Sequence, residues 1–142
     1  MNSELEKKLV EKYPEFFGYL NRQEKSGPII PIEFGFECGD GWYNILDILM
    51  GNIQSYIKWN HPEMVISISQ IKEKFGGLRF YYDGGDDYVD GLVSMAESLA
   101  DKTCEFCGSM ENVGKTTGWI TTLCKKCYEE KASDKTWKPL EE

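Results

Sequence analysis

The sequence holds one histidine, His61, among 142 residues, and no glycine-rich phosphate loop. Without a Ser/His/Asp set or such a loop, nothing in the chain reads as hydrolytic or nucleotide-cleaving machinery, and a non-catalytic protein is expected. Long apolar runs are missing too: none approaches the roughly 18 residues needed to cross a bilayer. The first residues, MNSELEKKLVEKY, are charged and lack the apolar stretch of a secretory signal, so cytoplasmic residence is expected. Positive charge is scarce, 16 Lys and Arg standing against 24 Asp and Glu for a net charge of −8. Long nucleic acid is held through many phosphate contacts on a broad basic face, so this balance argues against it as a partner.

What is present suits a soluble globular chain, with 41% hydrophobic and 13% aromatic residues to build a core. The charge is unevenly spread: −4 over residues 1–69, +2 over 70–82, −5 over 83–103 and −1 over 104–142. The basic island is QIKEKFGGLRFYY, Gln70 to Tyr82. Alternation on both sides of Gly76-Gly77 predicts two strands joined by a tight hairpin over 63–75 and 78–83. Met64, Ile66 and Ile68 fall on one face against Val65, Ser67, Ser69 and Ile71, while Arg79 and Tyr81 share a face of the second strand.

Three helices are expected around that hairpin. Ser3 with Glu6 three positions on reads as a capping box opening a helix at 4–12, with Leu5, Leu9 and Val10 on one side. Residues 21–31 read as a loop and 32–40 as a short strand with Ile32, Phe34 and Phe36 in alternation. Asp40 or Gly41 would cap a helix at 41–59 whose stripe runs from Trp42 through Leu46 and Met50 to Ile57. Asp86 or Asp87 would cap a third at 87–101, turning Val89, Leu92, Val93, Ala96 and Leu99 inward. The acidic run around Asp83, Asp86, Asp87 and Asp90 lacks the spacing of a calcium loop and reads as capping plus a solvated face. Cys38 reads as a small buried thiol and His61, beside Pro62, as a loop residue.

The remaining cysteines are the sharpest chemical signal. Cys104 and Cys107, then Cys124 and Cys127, make C-x2-C, a 16-residue gap and C-x2-C. Each pair brings two thiolates to one ion from a single turn, and four close a tetrahedron, which is the pattern of a structural Zn2+ site. Residues 111–123 would form the connecting hairpin of a zinc ribbon, a short helix would follow Cys127, and TWKPLEE would be a loose tail.

FECGDGW at 36–42, QIKEKFGGLRFYY at 70–82 and CEFCG with GWITTLCKKC at 104–127 together resemble a family of small phage and prophage proteins, over roughly residues 32 to 127. The resemblance brings no active-site residues with it. It implies a host cytoplasm and inhibition of host defence, by decoy binding to a protein or by sequestering an immune-signalling nucleotide.

The sequence thus predicts an α+β domain over 1–103 and a zinc ribbon with its tail over 104–142. The first functional expectation is a small phosphorylated ligand, possessing phosphates for Lys72, Lys74 and Arg79 and a base to stack on Tyr81 or Trp42, with N–H groups near Gly41 also facing the anion. A zinc-braced protein-interaction module is the second, and a nucleic-acid-binding ribbon the third. Edge strands and aromatics also permit a homodimer.

Overall fold

The computed structural model describes residues 1–17 and 35–141. The expected loop at 21–31 and the Ile32 and Phe34 positions of the expected strand lie outside these. Helix α1 spans Ser3–Lys12, α2 Tyr43–Asn60, α3 Asp87–Ala100 and α4 Lys125–Lys131. Strands β1 (Ser67–Lys74) and β2 (Gly77–Asp83) form an antiparallel pair, and β3 (Val113–Thr116) lies between β4 (Thr122–Cys124) and β5 (Trp137–Pro139) in a second sheet. The architecture is α+β, with a four-cysteine C-terminal region consistent with a zinc ribbon.

Local chemistry sets the helix ends, not always at the residues the patterns pointed to. The cap of α1 is Asn2, whose Oδ1 accepts from the Leu5 N–H at 3.0 Å, and not Ser3. Glu6 is drawn away from any capping box because its Oε1 accepts from the Phe36 N–H at 2.9 Å. A 3-10 turn over Asp40–Trp42 precedes α2. Asp86 caps α3, accepting from the Val89 N–H at 3.1 Å. Val89, Val93, Ala96 and Ala100 are buried as the inner face of α3, whereas Leu99 is exposed.

The β1–β2 hairpin differs from the simple alternation in two ways. Lys74 pairs with Gly77, so the two-residue turn is Phe75-Gly76 and not Gly76-Gly77. Both turn residues have left-handed backbone, φ 54° at Phe75 and 78° at Gly76, which is what a hairpin turn matching the twist of its strands requires. Second, the register slips between Ile68 and Gln70. The extra residue, Ser69, is a bulge that re-phases β1 and returns Ile71 to the side of Ile66 and Ile68, contrary to its expected outward position. Ile66, Ile68, Ile71, Leu78 and Phe80 are all buried in the main core with Leu9, Phe16, Phe17, Trp42 and Met50. Residue Glu37 adds one parallel bridge beside Lys72, through Glu37 N to Ile71 O and Glu73 N to Glu37 O at 3.0 and 2.8 Å.

The C-terminal segment is more ordered than its composition implied. Residues 137–139 form a strand on β3, anchored by Trp137, which donates from Nε1 to Leu123 O at 3.0 Å and stacks on Tyr128. Helix α4 starts before Cys127, with Cys124 as its cap.

Two outcomes follow. At Phe75 a bulky residue occupies a conformation that favours Asn or Gly, at a cost of about 1 kcal/mol. Phe75→Asn is therefore expected to stabilise the fold, and Gly76→Ala to destabilise it by about 1–3 kcal/mol in chemical denaturation; a Cβ at Gly76 would sit 2.8 Å from Ile120 Cγ2.

The second concerns Asp47 on α2, which takes Lys12 Nζ at 2.9 Å and lies 2.6 Å from the Tyr13 hydroxyl. Burial pushes its carboxyl up, but the bonds from Tyr13 and Lys12 outweigh that and hold it below the ordinary 3.8. A depressed carboxylate contributes stability that is present above its unfolded value and lost as the pH falls through its folded one. Asp47→Asn is expected to flatten the loss of stability below about pH 4, read by denaturation across pH.

Candidate metal centre and its supports

Cys104, Cys107, Cys124 and Cys127 come together with their sulfurs all within 4.8 Å of one another. Four thiolates about 2.3 Å from a zinc-sized ion would be about 3.8 Å apart at tetrahedral geometry. The Cys107 and Cys124 sulfurs are 3.7 Å apart, so the residues present could hold a metal ion with little movement.

The loops supply backbone donors for the thiolates. The Cys127 N–H donates to Cys124 Sγ at 3.4 Å. Burial raises the Cys104 thiol, but N–H groups of Cys107, Cys124 and Phe106 turned toward it carry it below its ordinary value. The Cys127 thiol is pushed up, first by burial and then by the neighbouring sulfurs. Four thiols this close cannot all ionise unaided, and a bound cation would supply the compensating charge. An ion held by all four sulfurs would have no position left for an activated water.

The first knuckle is seated in the Phe36–Trp42 motif. Gly41 N donates to Glu105 O at 2.8 Å, and Gly39 N donates to Glu105 Oε2 at 2.9 Å. A side chain on Gly41 would press to 2.6 Å from Gly108 N, which explains why this motif carries glycine. These N–H groups are thus taken within the chain, Gly41 by the Glu105 backbone carbonyl and Gly39 by the Glu105 carboxylate, in place of the external anion expected there. Burial pushes the Glu105 carboxyl up, partly offset by the Gly39 bond. Trp42 is fully buried and donates from Nε1 to Thr103 O at 3.0 Å, so it is a core residue at this seam and not a stacking surface for a ligand. The second hairpin is fixed to the first: Thr122 Oγ1 donates to Gly76 O at 2.6 Å, a buried bond.

The other sequence-selected residues gather on the outer face of β1–β2. Lys72 lies opposite Arg79 and Gln70 opposite Tyr81, so Lys72, Lys74, Arg79 and Tyr81 share one face. Like charges facing each other across a strand pair are unfavourable alone. The Glu97 carboxyl offsets part of this: burial raises it, and the field of Arg79 lowers it. The Arg79 guanidinium donates to Leu78 O at 3.0 Å. Cys38 is buried away from the quartet, its thiol pushed up to about 12 by burial. His61 caps the end of α2 and packs edge-on against Tyr56.

Sequence patterns did not single out Glu105, Thr122, Phe75 or Trp119. Glu105 had a faint signal in its place between paired cysteines; the others had none, because their roles arise from a contact between two hairpins.

Stripping metal with a strong chelator is expected to release about one equivalent per chain and to lose the near-ultraviolet signal of Trp137. Gly41→Ala should weaken metal retention while keeping all four thiols, since its Cβ would press against Cys104 O and unseat the knuckle; unchanged retention would contradict the seating described. Compared with known proteins, the chain matches no protein-family model, no curated protein and no solved structure.

Proposed function

We propose that this is a non-catalytic, zinc-braced protein-interaction module whose hairpin end docks on an acidic protein partner. Zinc is the favoured metal because four thiolates at tetrahedral spacing suit it and leave no open position for chemistry. The observation that carries the docking reading is the pair of rings Phe75 and Trp119, 71% and 75% exposed. Exposed Trp and Phe on rigid supports are the side chains that anchor protein interfaces. The two supports are joined here: Gly76, next to Phe75, lies against Ile120, next to Trp119, and accepts from Thr122 Oγ1 at 2.6 Å.

Charge gives the partner its character. Lys74 Nζ lies 5.6 Å from the centre of the Phe75 ring, and Lys72 and Arg79 continue the same hairpin. Aromatic anchors bordered by cations fit a surface with apolar pockets and an acidic rim. The resemblance to phage and prophage proteins supports a host protein as that partner, bound to inhibit it in the host cytoplasm.

A second reading, sequestration of a small phosphorylated ligand such as an immune-signalling nucleotide, is favoured by the facing of Lys72 and Arg79 with Tyr81 beside them. Two phosphate oxygens could bridge the cations while a base stacks on the ring.

Affinity capture from host lysate, comparing the native chain with Trp119→Ala and with Lys72→Glu/Arg79→Glu, separates these readings. The docking reading expects one host protein to be retained, the Trp119 change to weaken it on the order of tenfold or more, and added salt to slow its association. A nucleotide released from heat-denatured protein and lost in the double charge reversal, with Trp119→Ala without effect, would support sequestration and displace the docking reading.

A further inference from the structure

One buried residue, Thr122, bonds both to the cysteine loops and to the turn that carries Phe75. It opens β4, two positions before Cys124, and all three residues of that strand are buried. Its carbonyl accepts from the N–H of Glu105, which lies between Cys104 and Cys107, at 3.0 Å. Its hydroxyl donates to Gly76 O at 2.6 Å, in the turn of the first hairpin. Both C-x2-C loops therefore bear on where this hydroxyl sits.

The same strand places the other exposed ring. β3 pairs with β4 from Val113–Cys124 to Lys115–Thr122. The turn between them is closed by Thr116, whose Oγ1 donates to Trp119 O at 2.8 Å and accepts from the Thr121 N–H at 2.9 Å. Ile120, beside Trp119, lies against Gly76. Within the first hairpin, Gly76 N donates to Glu73 Oε1 at 2.9 Å, a bond that closes the turn. The Thr122 bond is different in kind, because it fixes that turn against the second sheet.

Burial ties β4 in turn to the quartet. The buried cluster of the C-terminal segment is Cys104, Val113, Leu123, Cys124 and Cys127, so three of its five members are the candidate ligands. A core that small relies on a bound ion to hold its strands in place.

We infer that Thr122 is a positioning residue through which metal loading sets the hairpin end, so that the Phe75 and Trp119 turns are held together only in the loaded chain. The use of this coupling rests on the docking reading: a partner that grips both rings is bound by the loaded chain and released by the stripped one. The coupling itself needs no partner.

Amide hydrogen exchange on the full chain, stripped with a chelator and then reloaded with Zn2+, tests this directly. Reloading is expected to slow exchange at Gly76 and Gly77 on the order of tenfold beyond any change at Val93 and Ala96 in α3. Thr122→Val and Thr122→Ala lack the hydroxyl and keep all four thiols. Each is expected to retain Zn2+ and to lose the added slowing, while Thr122→Ser restores it. Slowing at the turn no greater than in α3 overturns the inference, and so does native slowing in either hydroxyl-free variant. Loss of Zn2+ from both would make Thr122 a support of the metal site alone and overturns it equally. Capture from host lysate keeps the two readings apart. A protein retained by the native chain and still retained after chelation refutes metal dependence and leaves docking intact. If the native chain retains none, the docking reading falls, and exchange at the turn still decides the role of Thr122.

Discussion

Everything at the C-terminal end of this molecule depends on one seam, where the first cysteine loop sits on the backbone of Gly39 and Gly41. Both N–H groups are taken by Glu105, one by its carbonyl and one by its carboxylate. Such close approach requires bare backbone on both sides, and Gly108, with φ 81°, supplies the other half. Metal-ligand geometry therefore reaches beyond the four sulfurs: it fixes the turn that carries Glu105, which fixes the start of α2. The adjacent Trp42 indole and the Thr122–Gly76 bond extend the same seam to the core and to the tip of the first hairpin.

This explains a division of labour among the aromatics. Rings on the inner side of the seam are buried: Phe36 stacks on Phe17 in the main core, and Trp42 ties that core to Thr103, beside the first cysteine. Rings at the turn tips are held out because their neighbours are held in. Phe75 accepts an unfavourable backbone conformation at a place where Asn or Gly would cost less, and it buries little in return. Proteins tolerate such local cost where a side chain serves something other than the fold.

Much of the fold was legible because period and punctuation agreed. The apolar stripe of α2, the Asp86 cap and the two C-x2-C pairs are local patterns with local causes, and the structure places them as expected. Several failures share one physical origin: a local pattern yielded to a distant contact. Alternation put Ile71 outward, but the Ser69 bulge turned it in, since only that register buries Ile66, Ile68 and Ile71 together. Trp42 looked available in a glycine-rich motif, yet its acceptor is Thr103. The tail 137–139 read as loose because its partner, β3, lies across a gap the sequence does not mark. On the candidate sites, cysteine spacing is a direct statement of which ligands meet. The outer face of the hairpin could be read as a face, but its setting among Glu37, Glu97 and the exposed rings could not.

The seam also has a direction in time. Its bonds join residues 46, 61 and 66 positions apart, Gly76 with Thr122, Trp42 with Thr103 and Gly39 with Glu105. Contacts of such high order wait for chain that has not yet been made, so these are among the last to close during synthesis. A nascent chain ending short of Thr103 carries a core indole whose N–H lacks its acceptor, a defect worth on the order of 1–3 kcal/mol. The first hundred residues are thus committed to an unfinished interior until the cysteine loop arrives to complete it.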